Sequence, residues 1–169
     1  MTYWIRSATR GDLPGVLAIY NYAVRHLPAT FEVEERSAEA QEAWFAAHGA
    51  RHPVLVAEAD GHIVGWASLS PFSERTAYDR TVENSVYVHP DHWGRGVGTL
   101  LLAALMQAAR TAGHHVVVAR IVGDNEASIK LHARFGFSVV GSLHEVGWKF
   151  HRWHDVLIME AVLPEDEQA

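Results

Sequence analysis

The stretch HPDHWGRGVGTLLL, residues 89–102, sets three glycines around one arginine and follows them with an unbroken apolar run. Upstream, TVENSVYV (81–88) alternates like a strand, which Pro90 stops. Downstream, residues 97–113 have the apolar spacing of a helix that ends at Gly113. Backbone N–H groups converge where a strand meets a helix through glycines, and the helix adds a partial positive charge. The stretch therefore predicts an anion site made of backbone.

Two familiar phosphate loops do not fit this stretch. A Walker loop needs a lysine followed by Ser or Thr after its last glycine, and none is present. The dinucleotide pattern GxGxxG puts its third glycine on Thr99 or Leu101, depending on the register. ATP bound through that loop and NAD are thus unexpected. A loop that merely needs positive φ at its glycines is the alternative.

Composition narrows the class of protein. A chain of 169 residues with no cysteine and a formal charge of −6 predicts one domain without disulfides or thiolate chemistry, and no nucleic-acid partner. The start, MTYWIRSATRGD, has no apolar signal region, and no run is long enough to span a bilayer, so we expect a cytoplasmic protein with no membrane partner. The domain is expected over residues 3–163, with a short acidic tail at 164–169.

Apolar periodicity predicts the element order βααβββαβαββ, a mixed α/β fold. Thr9 with Asp12 looks like a capping box before the first helix, and Ser37 is expected to cap the second. Asp60-Gly61 joins two strands in a predicted type I′ hairpin. The near-continuous apolar run HHVVVARI (114–121) is typical of a central strand.

Twelve histidines raise the question of a metal site. The spacing of His89 with His92, and of His151 with His154, places the rings on opposite faces of an extended chain. No HExxH-type pair occurs. We therefore expect no metal.

Five ordered segments, from IYNYAV (19–24) through GDNEASIKLHARFGF (123–137) to EVGWKFHRWHDVLIM (145–159), carry a family resemblance. With the glycine loop, they resemble the GNAT superfamily of acetyl-CoA-dependent N-acetyltransferases, and within it the enzymes that acetylate phosphinothricin and methionine sulfoximine. The resemblance implies a mostly antiparallel sheet with a central splay, flanked by helices, and a homodimer. It also implies direct attack on acetyl-CoA by an amino acid-like acceptor in a ternary complex.

The resemblance implies a cofactor site along the central strand and the glycine loop. Trp93 stands where the family's loop pattern begins with Gln or Arg, and we assign it packing alone. Asn125 is expected to cap a helix, to reach the cofactor arm, or both. The residues implied to contact acetyl-CoA are Val86, Tyr87, Val88, Gly94, Arg95, Gly96, Val97, Gly98, Thr99, Asn125 and Arg134.

The resemblance further nominates two catalytic residues. Glu83, at the start of the central strand, is the candidate general base, and an ordinary solvated strand end is the alternative. His132 is the candidate acid for the departing thiolate, because imidazole titrates near neutrality. Helical spacing allows His132 to be a core-facing ring instead.

The acceptor's carboxylate needs cationic partners, for which Arg75 and Lys149 are the candidates. Phe31, Glu32, Tyr78 and Phe150 are expected to complete the acceptor site, although each fits an ordinary surface or core position as well. Three functions stay open: an amino-acid N-acetyltransferase, a related enzyme acting on protein amines or polyamines, and a non-catalytic acetyl-CoA-binding or metal-binding protein.

Overall fold

The computed structural model describes residues 2–164, so most of the predicted acidic tail lies outside the described residues. Within this range, the observed element order confirms the predicted one. The helices are α1 (Leu13–His26), α2 (Ala38–Ala46), α3 (Val97–Thr111) and α4 (Glu126–Arg134). The strands are β1 (Trp4–Ser7), β2 (Val54–Ala59), β3 (His62–Pro71), β4 (Thr81–Val88), β5 (Val116–Val122), β6 (Ser138–Lys149) and β7 (Arg152–Val162). None of the described helices is long and apolar enough to cross a membrane.

Short-range signals place the ends of these elements. The Thr9 backbone N–H donates to Asp12 Oδ2 at 2.7 Å, and a 3₁₀ turn there runs directly into α1. Ser37 Oγ accepts from the Ala40 N–H at 3.1 Å and opens α2. Both Asp60 and Gly61 have positive φ, 50° and 78°, as the predicted hairpin turn requires.

The strands form one sheet in the order β1-β2-β3-β4-β5-β7-β6. All neighbouring pairs are antiparallel except β4 and β5, which run parallel. That parallel contact covers only Thr81–Glu83 against Val116–Val118, and beyond it the two strands pair with β3 and β7 alone. The sheet is therefore split at its centre, which confirms the predicted splay.

Helices cover both faces of the sheet. On one face, α1 and α2 pack over β2, β3 and β4 through Ile19, Tyr20, Trp44, Trp66 and Tyr87. On the other face, α3 and α4 pack through an aliphatic cluster that includes Val97, Leu101, Leu105, Leu131 and Val82. The apolar run behind the glycine loop is thus core, and it fixes the start of α3 against the splayed strands.

One local expectation was wrong. The rings of His89 and His92 do not lie on opposite faces, since their centroids are 6.1 Å apart. Pro90–His92 form a 3₁₀ turn, in which positions i and i+3 stack on one side of the chain. His92 Nδ1 lies 3.1 Å from the Tyr3 hydroxyl, so the pair belongs to the loop's packing.

Candidate active site

The splay leaves one edge of β4 without a strand partner. The His89 N–H donates to Val64 O, and the Phe72 N–H donates to Thr81 O. These bonds show that the backbone N–H and C=O groups of the odd-numbered residues of β4 point towards β3. Because backbone groups alternate in direction along a strand, the N–H groups of Asn84, Val86 and Val88 point the other way; that of Asn84 meets β5 at the last paired position, while those of Val86 and Val88 face the gap. The gap is therefore lined by free backbone donors.

The glycine loop presents a second set of donors. Gly94 and Gly96 have φ of 71° and 85°, which residues with a Cβ rarely adopt. The first backbone bond of α3 runs from the Leu100 N–H to Gly96 O at 3.1 Å. The N–H groups of residues 97–99 consequently have no partner within the helix and face outward at its positive end. This arrangement fits an anion, as the sequence predicted.

A cavity of about 850 Å³ joins the glycine loop to the gap, and we call it the loop cavity. Its volume and its two sets of backbone donors fit a long anionic cofactor, and bulky apolar side chains from α1 form the opposite wall. Arg95 is the one predicted cofactor residue that does not line it. The predicted residues that do are Val86, Tyr87, Val88, Gly94, Gly96, Val97, Gly98, Thr99, Asn125 and Arg134.

Trp93 has a definite role in this cavity beyond packing. Its indole Nε1–H donates to Val88 O at 2.8 Å, and its ring meets that of Tyr22 edge-on at 6.5 Å between centroids. The indole thereby ties the loop to the end of β4 and satisfies a carbonyl that faces the gap. Sequence reasoning missed this bond because it joins two positions that are not neighbours in any regular element.

A second cavity, of about 910 Å³, opens on the α1 and α2 side of the sheet, and we call it the Glu83 cavity. It shares Val86, Tyr87, Asn125 and Ser128 with the loop cavity, so the two meet at the splay. Its ionisable lining residues include Glu32, Arg36, Glu83, Arg120 and His132. Both candidate catalytic residues therefore line this cavity, and His132 contacts Ser128, which lines both cavities.

Glu83 is held by a partner that the sequence did not reveal. Arg120 Nε donates to Glu83 Oε1 at 2.8 Å, and a terminal guanidinium N–H donates to Oε2. The hydrogen bonds to Glu83 are the main cause that raises the pKa of Arg120. Both carboxylate oxygens of the candidate base are therefore occupied, which shows that Glu83 is more than a solvated strand end.

His132 is a buried ring with both nitrogens engaged. Its Nδ1 lies 2.8 Å from Ser128 O, a carbonyl that can only accept, so Nδ1 carries the proton. Nε2 then accepts from Asn84 Nδ2 at 2.9 Å. Burial lowers the pKa of His132, which favours this neutral form. The ring is thus well placed at the splay, while its role as an acid stays a prediction.

Asn125 performs the predicted capping. Its Oδ1 accepts from the Ser128 N–H at 3.1 Å and opens α4. The residue also lines both cavities, so a contact with the cofactor arm remains a prediction that its position allows.

The structure separates the predicted acceptor residues into two groups. Phe31 and Glu32 line the Glu83 cavity. Arg75 and Tyr78 do not line either cavity; Arg75 is exposed before a 3₁₀ turn, and the Tyr78 ring packs against Phe72 at 5.3 Å between centroids. Within the chain, these two residues are not brought to the candidate base.

Lys149 and Phe150 also lie outside the cavity linings. The buried Lys149 ammonium donates to Leu27 O at 2.9 Å and to Thr30 O at 2.7 Å. Burial lowers the pKa of Lys149. Phe150 is half exposed in the tight turn between β6 and β7, with φ of 53°. Lys149 therefore anchors the segment that leads to Phe31 and Glu32, rather than facing an acceptor itself.

Three residues of the Glu83 cavity were missed, although the sequence carried a signal for two of them. Arg120 interrupts an otherwise apolar strand, and Asn84 occupies a position of β4 whose neighbours on the same face are valines. A polar group at an apolar position indicates a specific partner. Arg36 gave no such signal, because it lies in a loop.

The described residues contain no group of three or more His, Asp or Glu side chains that could hold a metal ion.

Comparison with known proteins agrees with this geometry. The sequence profile described as the Acetyltransferase (GNAT) family matches residues 16–137. The chain belongs to the GNAT family of acetyltransferases. The predicted enzyme class, an acetyl-CoA-dependent N-acetyltransferase, is thereby confirmed.

Several GNAT relatives match over almost the whole chain. The L-amino acid N-acyltransferase MnaT of Escherichia coli is 42% identical and covers 95% of this chain and 94% of its own length. The L-methionine sulfoximine/L-methionine sulfone acetyltransferase of Pseudomonas aeruginosa PAO1 is 42% identical, and the match covers 100% of this chain and 99% of the relative. The phosphinothricin N-acetyltransferase of Streptomyces coelicolor is 39% identical, and the match covers 94% of this chain and 95% of the relative.

Two solved GNAT structures hold the cofactor. yncA from Salmonella typhimurium, with its cofactor acetyl-CoA, has a TM-score of 0.95, is 39% identical and covers 100% of this chain and 98% of its own. The phosphinothricin acetyltransferase of Sinorhizobium meliloti, in complex with acetyl-CoA, has a TM-score of 0.93 and 34% identity, with 100% and 92% covered. Both support the predicted fold and cofactor.

Proposed function

We propose that this GNAT enzyme transfers an acetyl group from acetyl-CoA to the α-amino group of a small amino acid-like acceptor. The observation that carries the proposal is the junction of the two cavities at the splay, with Glu83 and His132 lining one of the two. Relatives named for L-amino acids, methionine sulfoximine, methionine sulfone and phosphinothricin support this class of acceptor.

In this proposal, the loop cavity holds acetyl-CoA, which supplies the acetyl group as a thioester. The N–H groups of residues 97–99 and the positive end of α3 would bind the pyrophosphate. The gap-facing N–H groups of Val86 and Val88 would bind the pantetheine arm, and one of them would stabilise negative charge developing on the carbonyl oxygen. A preorganised donor of that kind contributes about 3 kcal/mol in the transition state.

Glu83 is proposed to remove the proton that the acceptor's ammonium must lose, directly or through a water molecule. Arg120 takes one lone-pair site on each of its two oxygens, and the other sites can accept the proton of the ammonium or of a bridging water. His132 is proposed to protonate the thiolate. That role requires a proton on Nε2, where the neutral ring now accepts from Asn84.

Thiol release in the presence of acetyl-CoA tests the proposed function. The acceptors are methionine sulfoximine, methionine sulfone, phosphinothricin, free amino acids, spermidine and a lysine peptide. We expect turnover with the amino acid-like acceptors alone. Turnover restricted to spermidine or the peptide, or none at all, would contradict the proposal.

Glu83→Gln should lower kcat/KM about 10²- to 10⁴-fold, the usual contribution of general base catalysis.

We also propose that the enzyme is a homodimer that uses the β6 edge of the sheet. The open edge strand carries half-exposed apolar side chains, among them Val139, Val140, Leu143 and Trp148. An unpaired apolar edge is a surface that a second chain readily covers. Sedimentation velocity is expected to give a dimer for the wild type and a monomer for Val140→Lys. A wild-type monomer at micromolar concentration would refute the proposal.

The cytoplasmic location stays a prediction from the sequence.

A further inference from the structure

The closed ion pair of Glu83 and Arg120 is the feature that the proposed chemistry leaves unexplained. It lies where the sheet divides, since Glu83 forms the last paired position of β4 with β5 and Arg120 lies two residues beyond its partner Val118. The pair lines the Glu83 cavity, so a bound acceptor would meet both charges together. The guanidinium takes one lone-pair site on each oxygen and balances the charge of Glu83, so it competes with an acceptor's ammonium for the base.

An α-amino acid carries the complementary pair of charges, an ammonium and a carboxylate on the same carbon. We propose that the acceptor exchanges partners with this ion pair: its ammonium replaces Arg120 on Glu83, and its carboxylate binds the released Arg120 guanidinium. The inference rests on the proposed function and adds a specificity-determining residue to it. Arg120 would thereby couple recognition of a free α-carboxylate to release of the base.

The contacts of Arg120 allow this exchange at low cost. Its side chain is 58% exposed, and its hydrogen bonds within residues 2–164 go to Glu83 alone. Ion pairs with this much exposure contribute little to folding stability, so opening the pair gives up little. A guanidinium binds an acceptor carboxylate with the same two-pronged geometry that it uses on Glu83.

Arg36, the other arginine that lines this cavity, is held differently. Its guanidinium lies 4.1 Å from the centre of the Tyr20 ring, and its Nη1 donates to Gln41 Oε1 at 2.9 Å. No hydrogen bond or ion pair joins it to Glu83 within residues 2–164, so binding a carboxylate there would not displace Arg120 from the base. Arg120 is therefore the residue that can perform both tasks.

An amine that lacks a carboxylate offers Arg120 nothing in return. Glu83 and Arg120 would stay bonded to each other, and the base would stay occupied. The exchange thus predicts discrimination against esters and decarboxylated amines. The amine of an ester is less basic than that of the parent acid, so a preference for the acid cannot arise from easier deprotonation.

Steady-state kinetics with methionine sulfone, its methyl ester and its decarboxylated amine test the exchange. For the wild type, we expect kcat/KM to favour the acid over the ester roughly 100-fold, as the loss of a charge-assisted pair predicts. Arg120→Gln should reduce that ratio to about threefold or less, mainly through a higher KM for the acid, while Arg120→Lys retains part of it. Arg10→Gln, which removes an exposed arginine paired with Glu42 at 3.8 Å outside both cavities, is the matched control.

Two results would overturn the inference and leave the proposed function standing. One is a wild type that acetylates acid and ester equally well. The other is an acid-to-ester ratio that survives in Arg120→Gln but is lost in Arg36→Gln, which would assign carboxylate recognition to Arg36. Failure of the wild type to acetylate any amino acid-like acceptor would instead refute the proposed function, and the inference with it.

Discussion

At the scale of single residues, the site depends on polar side chains that bridge distant parts of the chain. Lys149 makes a long bridge, because its ammonium joins the end of β6 to carbonyls of Leu27 and Thr30, more than a hundred residues earlier. Those carbonyls belong to the segment that positions Phe31 and Glu32 at the Glu83 cavity. A buried lysine can therefore shape a site that it does not face.

Lys149→Met should destabilise the protein by about 2–3 kcal/mol, because two charge-assisted hydrogen bonds are lost and two carbonyls are left without their donor. The KM for the acceptor should rise as well, since residues 27–32 lose their anchor. Chemical denaturation and steady-state kinetics measure the two effects. The exposed Lys130→Met is the control for stability and should change it by no more than about 0.5 kcal/mol. Equal stability losses in the two variants would contradict this account.

Bridges of this kind mark the limit of what the sequence could predict. Caps and turns at Thr9, Ser37 and Asp60-Gly61 were predictable, because their hydrogen bonds span only a few residues. The contact between Lys149 and Leu27 depends on how the last hairpin packs against the end of α1, and no local pattern encodes it. Arg75 was predicted from its charge and its loop position, and only the tertiary structure shows that it lies away from both cavities.

At the scale of elements, α3 serves the site through its first turn and the core through its aliphatic face. Both ends of this helix adjoin a glycine with positive φ: Gly96, at 85°, precedes its first residue, and Gly113, at 76°, follows its last turn. A Cβ at either position would meet no atom within 4 Å, so a substitution there strains the backbone without causing a clash. The two positions differ in that only Gly96 lines the loop cavity.

We therefore expect Gly96→Ala and Gly113→Ala to lose similar stability, about 1–2 kcal/mol each, from the left-handed backbone conformation. Only Gly96→Ala should also raise the KM for acetyl-CoA, roughly tenfold, which corresponds to about 1.4 kcal/mol of binding. Thermal unfolding and kinetics at varied acetyl-CoA concentration separate the two effects. A comparable rise in KM for Gly113→Ala would show that helix stability, rather than loop shape, controls cofactor binding.

At the scale of the whole molecule, one buried and two partly buried histidines link stability to pH. Burial is the first cause that lowers the pKa of His48, His52 and His132 below the ordinary value of about 6.5. Below that value the unfolded chain takes up protons that the folded protein refuses, so the free energy of unfolding falls as the pH falls. The stability that comes from keeping these histidines neutral is fully present above about pH 6.5.

Chemical denaturation should give a free energy of unfolding that is lower at pH 5.5 than at pH 7.5 by about 1 kcal/mol or more. His48 and His52 should contribute less to this difference than fully buried histidines would, because they are partly exposed. His52→Gln should reduce this pH dependence, and the exposed His62→Gln should keep it. A free energy of unfolding that stays constant between the two pH values would refute the assignment. Asp12 affects the free energy of unfolding in a separate, more acidic pH range, because its hydrogen bond with Arg6 lowers the pKa of the Asp12 carboxyl.

The splay has a further consequence for the cooperativity of the molecule. Within the sheet, strands β1–β4 and β5–β7 are joined by three residue pairs, Thr81–Glu83 with Val116–Val118, while β4 beyond them pairs with β3 alone. Because one core cluster still joins the halves, we expect the gap edges of β4 and β5, rather than the whole halves, to open at a free energy below that of global unfolding. A pantetheine arm in the gap would act as the missing strand, so the cosubstrate would also fasten the halves into one unit. Slower amide hydrogen exchange along both strands is the expected sign of this closure.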